Sequence, residues 1–492
     1  MYNLNLTEEK RKSRRRIKPL FKVLMFPVIF LLLFILVFLI DYKFFTGEEL
    51  LAKSSIIKAV STGSNIIGKV IDTDLKNENN ITSMLIVGID TRNVVFENGE
   101  FRSTKPKGQA GTRNTDTLIQ VVYDHNKGTM AMISIPRDLG IDYDKECLEF
   151  HGSIHWIYDK AENAGCLGRG VEELKEAITS VTGIPIQYHI FITLDSFVEA
   201  IETVGEINPS TRETGIYIEN PSDVWDVYPY NDTGWENVYF KKGKIFLSSE
   251  DALKYVRVRQ LTSDFGRARR QQIVIEAILA RVLSSETYTS PDKLSELYRI
   301  YREKTLVSEI TIREILAGVE VIENFELGKV VNIILDPSLG GEEAYLNKQP
   351  HNRPGGPYYM VPTHWKECPG DEFCRIKKLI NNILSNPELY TEQAQVFAYA
   401  QTSNQGKLDF SNFAFTQLSE NDPPISLIKS KNQISLAQEF KTTGEIIIFD
   451  FSEGKNPHTK DYLVSQLGAK VVDGTNYKRY QLNKESFSIV LP

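Results

Sequence analysis

Cysteine is scarce: four residues in 492, with no Cys-x-x-Cys pair and no His/Cys spacing of a zinc site. Gly-x-Ser-x-Gly elbows, phosphate-binding P-loops and His-Glu-x-x-His stretches are absent, which argues against common serine hydrolases, P-loop NTPases and zincins. A surplus of positive charge is missing too. The formal net charge is -7, so the chain as a whole is no generic nucleic-acid binder. Internal repeats and low-complexity segments are also lacking. Hydrophobic content of 41% and charge of 25% are ordinary for globular protein, and the length is too great for one ordinary core, so two or more domains are expected.

Against that background one long apolar run stands out. Val23–Ile40 carries no charged residue and as a helix would span roughly 27 Å, close to the hydrocarbon thickness of a bilayer. Pro27 lies in its first turns, where proline does least damage. A cleaved signal peptide fits less well, because Asp41-Tyr-Lys-Phe-Phe45 follows at once with no small-residue cleavage site. Arg11, Lys12, Arg14, Arg15, Arg16, Lys18 and Lys22 precede the run, and basic residues stay on the cytoplasmic side. The expectation is a single-pass protein of the cell membrane. It has a cytoplasmic tail over 1–22, a transmembrane helix over 23–40 and everything beyond outside. The cysteines form two close pairs, Cys147 with Cys166 and Cys368 with Cys374. An external compartment permits disulfides, and pairing by proximity is the natural reading, but four cysteines allow three connectivities.

Residues 41–80 read as a stalk, with a loosely amphipathic helical stretch over Glu48–Val70. Met84–Gly88 is a short buried-type strand, followed by strands at Leu118–Val122 and Thr129–Ile135 around a turn at Asp124–Gly128. The pattern then predicts a helix over Val171–Val181, a strand over Tyr188–Leu194 and a helix over Ser196–Val204 ended by Gly205. Helices over Ser248–Val256, Phe265–Leu283, Ile312–Phe325 and Ile376–Leu384 follow, with Asp264 or Ser263 as a cap for the second. Alternating strands and helices argue for an α/β sandwich, a mixed sheet between helical layers, over 81–390. Residues 391–492 read as a smaller α/β unit, with a strand at Gly444–Phe451 and a helix near Lys460–Leu467.

Chemistry-bearing residues collect where loops meet strands. Three acid–arginine groupings occur: Asp90-Thr-Arg92 after a strand, Arg113-Asn-Thr-Asp116 before one, and Arg137-Asp138 after a third. Ligands of α/β sheets gather at the carboxyl ends of strands, and an antiparallel neighbour brings Asp116 to the same edge. A fourth cluster, Arg257 to Gln271, holds Arg257, Arg259, Asp264, Arg267, Arg269 and Arg270. Planar guanidinium groups match phosphate oxygens, and carboxylates bind the divalent cation that accompanies phosphates. A solvated helix face is the plain alternative for the arginines, and a turn or cap for each lone aspartate. His155 beside Trp156 is a weaker candidate base.

The order of these pieces resembles the LytR-CpsA-Psr family of cell-envelope phosphotransferases over about residues 82–390. Met84-Leu-Ile-Val-Gly-Ile-Asp90-Thr-Arg92 looks like its opening strand and loop. Thr115-Asp116-Thr117-Leu118 and Ile133-Ser-Ile-Pro-Arg137-Asp138 look like its next two signatures, and Gly183 through Phe197 like its central strand and helix. Ala252-Leu-Lys-Tyr-Val-Arg257-Val-Arg259 with Asp264-Phe-Gly-Arg267-Ala-Arg-Arg-Gln271 is the most specific match.

The resemblance implies a membrane-anchored enzyme that moves a phosphoglycan from a polyprenyl-pyrophosphate-linked donor to an envelope acceptor, usually peptidoglycan. Asp90 and Asp116 would hold Mg²⁺ or Mn²⁺. Arg137, Arg257, Arg259, Asp264, Arg267 and Gln271 would bind the pyrophosphate, and Arg113 would contact the phosphate under attack. An apolar tunnel beside the sheet is expected for the polyprenyl chain. The last hundred residues resemble the accessory domain that follows some members.

Departures from the family pattern are visible. Asn114 stands where the family places an arginine, with Arg113 one residue further off, so Arg113 or Arg92 could serve. His155 takes the place of an asparagine, and Gly205-Glu206 that of a Gly-Gly. Two other functions remain open at this point: a non-catalytic carrier of lipid-linked glycan, and a polyprenyl pyrophosphatase. A transcriptional role has only the basic amino terminus behind it, and that is too short to fold as a DNA-binding domain.

Overall fold

The computed structural model describes residues 75–491, apart from 90–93, 98–99, 104–113, 146, 164–168, 231–233, 262–263, 283, 289, 309, 311–313, 315–329, 338–344, 351–357, 364–367, 402–412, 421–424, 437–439 and 441–444. The apolar run Val23–Ile40, the stretch Glu48–Val70 and nearly all of Ile312–Phe325 lie outside the described residues. Among those described, no helix is long and apolar enough to cross a membrane.

A six-stranded mixed sheet organises the larger unit. Its strands are β1 (Ile81–Ile89), β2 (Thr115–Asp124), β3 (Thr129–Ile135), β4 (Tyr188–Thr193), β5 (Thr305–Val307) and β6 (Val330–Ile334), in the order β5-β4-β1-β2-β3-β6. β1 pairs antiparallel with β2 and parallel with β4, and β3 pairs antiparallel with β2 and parallel with β6. β1 begins three residues earlier than its apolar run suggests. Thr82 and Ser83 are buried, and Ser83 is satisfied there: its amide donates to Gln187 Oε1 at 2.7 Å and its hydroxyl accepts from Gln120 Nε2 at 2.8 Å. A hydrophobicity pattern cannot register polar core positions that find partners from distant strands.

The alternation of β1 assigns its two faces. Leu85, Val87 and Ile89 enter a core with Leu174, Ala177, Ile178 and Val181 of helix α1 (Gly170–Thr182) and with the helix Cys374–Ser385. Met84, Ile86 and Gly88 point to the opposite face. That face is covered by α2 (Leu194–Val204), α3 (Ser249–Arg257) and α4 (Asp264–Val282), whose apolar sides build a second core around Ile201, Leu253, Tyr255 and Val274.

Capping explains where these helices start. Thr193 and Ser196 exchange side-chain and backbone bonds at the start of α2, and Ser248 accepts from Asp251 N at the start of α3. α2 therefore opens at Leu194, which the pattern places in the strand. Gly205 ends α2 as expected, but with φ -61°. Its role is close approach, since a Cβ would lie 2.6 Å from the Ile201 carbonyl oxygen and 2.7 Å from that of Gly215.

Several pieces of this unit have no counterpart in the pattern reading, β5, β6 and the helix Pro291–Lys304 among them, and three small sheets between residues 140 and 248 are further cases. One is the hairpin Gly140–Lys145 with Leu148–Ser153. The second is a small sheet that pairs Thr214–Asn220 with Gly243–Ser248 and Glu206–Ile207. The third is the two-stranded ribbon Val224–Tyr230 with Gly234–Phe240. Cys368 and Cys374 form a disulfide just ahead of the helix Cys374–Ser385. Cys147 is disulfide-bonded as well, and Cys166 lies outside the described residues.

Beyond residue 390 a separate five-stranded sheet runs Ser426–Ile434, Gln395–Gln401, Phe487–Leu491, Ile447–Asp450, Lys470–Asp473. Helices Phe413–Glu420 and Pro457–Leu467 pack on one face. An aromatic group including Tyr399, Phe440, Phe449 and Tyr480 packs on the other.

Candidate active site

The site forms where β1 ends, β2 begins and β3 hands over to its loop. The β1–β2 register pairs Gly88 with Thr117 and Ile89 with Thr115, so the intervening Asp116 is the extra residue of a bulge. A bulge re-aims a side chain without ending the ladder. Gly88 permits the approach: a Cβ there would sit 2.9 Å from the Thr117 Cβ, well inside van der Waals contact. Asp90 follows Ile89 directly in the chain. Asp90, Arg92 and Arg113 lie outside the described residues.

From β3, Arg137 reaches across to Asp116, its Nη1 donating to Oδ1 at 2.9 Å. Its Nε stands 3.5 Å from Asp138 Oδ2. All three side chains are largely but not fully buried, so this ion pair faces both protein and solvent. His155 braces the arrangement from behind. Its Nδ1 lies 2.8 Å from the Arg137 carbonyl oxygen, which can only accept, so Nδ1 carries the proton. Burial holds the imidazole pKa below its ordinary value, with opposing contributions from the Arg137 carbonyl and Asp138. Thr115 Oγ1 in turn donates to the His155 carbonyl at 3.2 Å. His155 is thus a neutral support for the Arg137 backbone, its Nδ1 committed to that carbonyl.

The arginine-rich segment divides into two jobs. Arg270, 5% exposed, turns inward: its Nε donates to the Tyr255 carbonyl at 2.8 Å and its Nη2 to the Val258 carbonyl. Burial lowers its pKa to about 10. It ties the start of α4 to the end of α3 and shapes the loop that carries Arg259. Gln272 pins α4 to the sheet, donating to Ser134 Oγ at 2.9 Å and to the Met132 carbonyl at 3.2 Å.

On the other side of α4, Gln271 Nε2 donates to Thr117 Oγ1 at 2.8 Å. Arg257 Nη1 donates to the Tyr228 hydroxyl at 2.7 Å, and its guanidinium lies 5.5 Å from that ring's centroid. Arg257, Arg259, Arg267 and Gln271 all line one cavity, and Asp116 lines it with them. Arg267, Gln271 and Asp116 also border a smaller depression shared with Arg137 and Asp138. Asp264 is the first residue of α4.

The cavity has a volume of about 560 Å³. Behind its polar end the walls are apolar: Met84 and Ile86 of β1, Ile190 and Ile192 of β4, Phe197 and Ala200 of α2, and Ile275, Ile278 and Leu279 of α4. These are the sheet positions that alternate away from the first core. The space exists because the covering helices pack more against one another than down onto this face.

Among the site residues named from sequence and described here, Asp116, Arg137, Arg257, Arg259, Arg267 and Gln271 converge on the cavity or its adjoining depression. Thr117, Tyr228, Asp138 and the supporting His155 complete the constellation. Asp138 belongs to the Arg137-Asp138 grouping named from sequence, and Thr117 stands beside Asp116 in its signature, though neither is given a role there. Tyr228 could not be read from sequence, because the ribbon that carries it has no chemical motif. Asp116 and Asp138 offer partly exposed carboxylate oxygens of the type a hard divalent cation takes. Asp116 keeps acceptor capacity beyond its bond to Arg137, since a carboxylate has about four lone-pair sites. Among the described residues no group of three or more His, Cys, Asp or Glu is placed to hold a metal.

The chain matches a family model, curated proteins and solved structures. The LytR_cpsA_psr family model matches residues 51–333. The chain is 29% identical over 258 residues to the polyisoprenyl-teichoic acid–peptidoglycan teichoic acid transferase TagV of Bacillus subtilis (strain 168), covering 52% of this chain and 57% of that one. It is 27% identical over 270 residues to the cell wall biosynthesis protein LcpA of Corynebacterium glutamicum, covering 51% and 48%. It thus spans about half the length of these relatives. The crystal structure of B. subtilis TagV aligns with a TM-score of 0.43 at 26% identity, over 63% of this chain and 98% of that one.

Proposed function

The chain belongs to the LytR_cpsA_psr family, and from that premise we propose that it is a phosphotransferase. It moves a phosphoglycan from a polyprenyl-pyrophosphate-linked donor to a hydroxyl of an envelope acceptor, with peptidoglycan as the first candidate. The observation that carries this reading is the apolar cavity of about 560 Å³ that ends on Arg257, Arg259, Arg267 and Gln271. Its two chemistries match the two halves of such a donor. Apolar walls suit an isoprenoid chain, which gains by leaving water, and guanidinium donors suit the pyrophosphate. The relatives named as teichoic acid transferases support the choice of substrate class.

In this reading the acceptor hydroxyl oxygen attacks the phosphorus that bears the glycan. The bond from that phosphorus to the bridging oxygen breaks, polyprenyl phosphate leaves, a glycan phosphodiester forms and the hydroxyl proton is released. Arg257 and Arg259 hold the pyrophosphate. Arg267, bordering both the cavity and the depression with Asp116 and Arg137, stabilises charge that grows on the leaving oxygen. Arg113 contacts the phosphate under attack. Gln271 positions its amide through Thr117. Asp90 and Asp116 would hold Mg²⁺ or Mn²⁺, which when bound would offset the charge of the pyrophosphate. The enzyme would be held at the cell membrane by Val23–Ile40, with its amino terminus inside and its folded units outside.

The test uses the full chain with a polyprenyl-pyrophosphate-linked glycan, an acceptor glycan and Mg²⁺, following release of polyprenyl phosphate. Arg267→Ala should lower release about 10²- to 10³-fold, the usual cost of one transition-state donor. Wild-type release in the variant would sink the assignment of Arg267. Tight donor binding without release, even with acceptor present, would make the protein a carrier. Release of equal rate with and without acceptor would make it a pyrophosphatase.

A further inference from the structure

The ribbon Val224–Tyr230 with Gly234–Phe240 has an unusual outer face. Its burial alternates over most of its length: Val224, Asp226, Tyr228, Val238 and Phe240 turn inward with the half-buried Glu236, while Trp225, Pro229, Trp235, Asn237 and Tyr239 are exposed and Val227 is half-buried. A solvated strand face ordinarily carries polar residues. Here the outward positions hold no charge, and five of the six are apolar or aromatic. Trp225 is 63% exposed, Trp235 60% and Tyr239 45%. Trp225 and Tyr239 are cross-strand partners with rings stacked at 4.1 Å, so the aromatic surface is continuous.

We propose that this face docks on a lipid bilayer and sets the cavity mouth against the membrane surface. The inference rests on the lipid-donor reading of the cavity. Three observations favour a bilayer as the occupant. First, the face is continuous with the cavity: Val227, Pro229 and Trp235 line it, and Trp235 and the partly exposed Leu279 stand at its rim. An isoprenoid chain passing between bilayer and cavity along this face would stay against apolar surface. Second, the composition suits the interfacial zone, where Trp and Tyr rings settle at headgroup level and a charge-free face enters without desolvating an ion. Exposed Lys241 and Lys242 follow the ribbon, within reach of headgroups. Asp223 at that end is already engaged by the Tyr239 hydroxyl and the Lys242 amide. Third, the chain preceding Leu75 includes the apolar run Val23–Ile40. The segment 41–74 could extend on the order of 110 Å, ample for any face of the folded unit to meet the membrane.

The test is made on the full chain in vesicles of phosphatidylethanolamine and phosphatidylglycerol, with Trp156→Phe and Trp365→Phe so that Trp225 and Trp235 are the only tryptophans, excited selectively over tyrosine. Lipids brominated near the headgroup end of their acyl chains should quench the emission, and the bilayer should shield it from acrylamide. Emission indifferent to the bromines overturns the proposal. Shielding that rises with protein-to-lipid ratio would indicate a second copy, and shielding caused by soluble wall glycan would indicate a sugar platform. Either result also overturns it.

A Trp225→Ser, Tyr239→Ser variant supplies the functional arm, since neither residue lines the cavity. It should lose turnover of vesicle-embedded donor several-fold and keep turnover of a short-chain donor dispersed in detergent. Equal rates relative to wild type on both donors would refute the docking role. If wild type turns over neither donor, the proposed function fails while the quenching result still decides the docking.

Discussion

Arg270→Ala is the sharpest test of how the arginine segment divides its work. The side chain is 5% exposed and donates to the carbonyls of Tyr255 and Val258. Losing charge-assisted bonds of this kind costs about 2 kcal/mol each once the carbonyls are left buried and unpaired. The void left by the removed stem adds on the order of 2 kcal/mol. Set against these is relief of an unfavourable burial. The pKa lowered to about 10 from 12.5 corresponds to roughly 3 kcal/mol held against the cation in the fold. The losses win, and the variant should be less stable by about 3 kcal/mol, a fall in Tm of roughly 5 °C or more for a unit of this size.

Donor affinity should fall with it, because Val258 precedes Arg259 in the loop that Arg270 holds. Arg259→Ala is the contrast: it should weaken binding of a polyprenyl pyrophosphate about tenfold through loss of a phosphate contact, with a much smaller change in Tm. Thermal melting of the full chain and donor titration by calorimetry separate the two. An Arg270→Ala protein melting within 1 °C of wild type would refute the division, as would an Arg259→Ala protein that melts as early as Arg270→Ala.

Gly88→Ala should destabilise by about 1–3 kcal/mol through overpacking, because the new Cβ meets the Thr117 Cβ at 2.9 Å. It should also weaken donor binding by displacing the Gln271–Thr117 bond, and a Thr117→Gly change in the same chain should recover stability but not affinity. His189 gives a pH prediction. Its Nδ1 is buried without a hydrogen-bond partner among the described residues, and burial first, then Lys175, lowers its pKa to about 4. The unfolded chain therefore takes up a proton that the folded one refuses, so stability contributed by neutral His189 is lost as pH falls from about 6.5 towards 4. The full effect is at most about 3 kcal/mol. The gap in Tm between wild type and His189→Gln should narrow or reverse between pH 7 and pH 5, and a constant gap would show that His189 does not titrate this way.

Local sequence determined a good deal. Strands β1 to β4 and helices α1 to α4 follow from periodicity within a few residues, while the Thr193 and Ser248 caps set where two of the helices begin. Asp116, Arg137 and Asp138 were legible for the same reason, since loops meeting a sheet edge carry their polar residues with them. What only the tertiary structure decided depends on contacts between residues far apart in the chain. Arg257, Arg259, Arg267 and Arg270 are one residue type within fourteen positions. Arg270 is structural because Tyr255 and Val258 turn carbonyls towards it, and the other three border the cavity because α4 faces β1 and β4 there. His155 holds a backbone because its Nδ1 meets Arg137, eighteen residues away. The ribbon's Trp, Pro and Tyr residues read locally as an undistinguished stretch. Their exposure follows from which side of the hairpin finds a core to pack against. A side chain's chemistry is written in the sequence, but its dielectric, its partners and its access to a ligand are set by whatever the fold brings next to it.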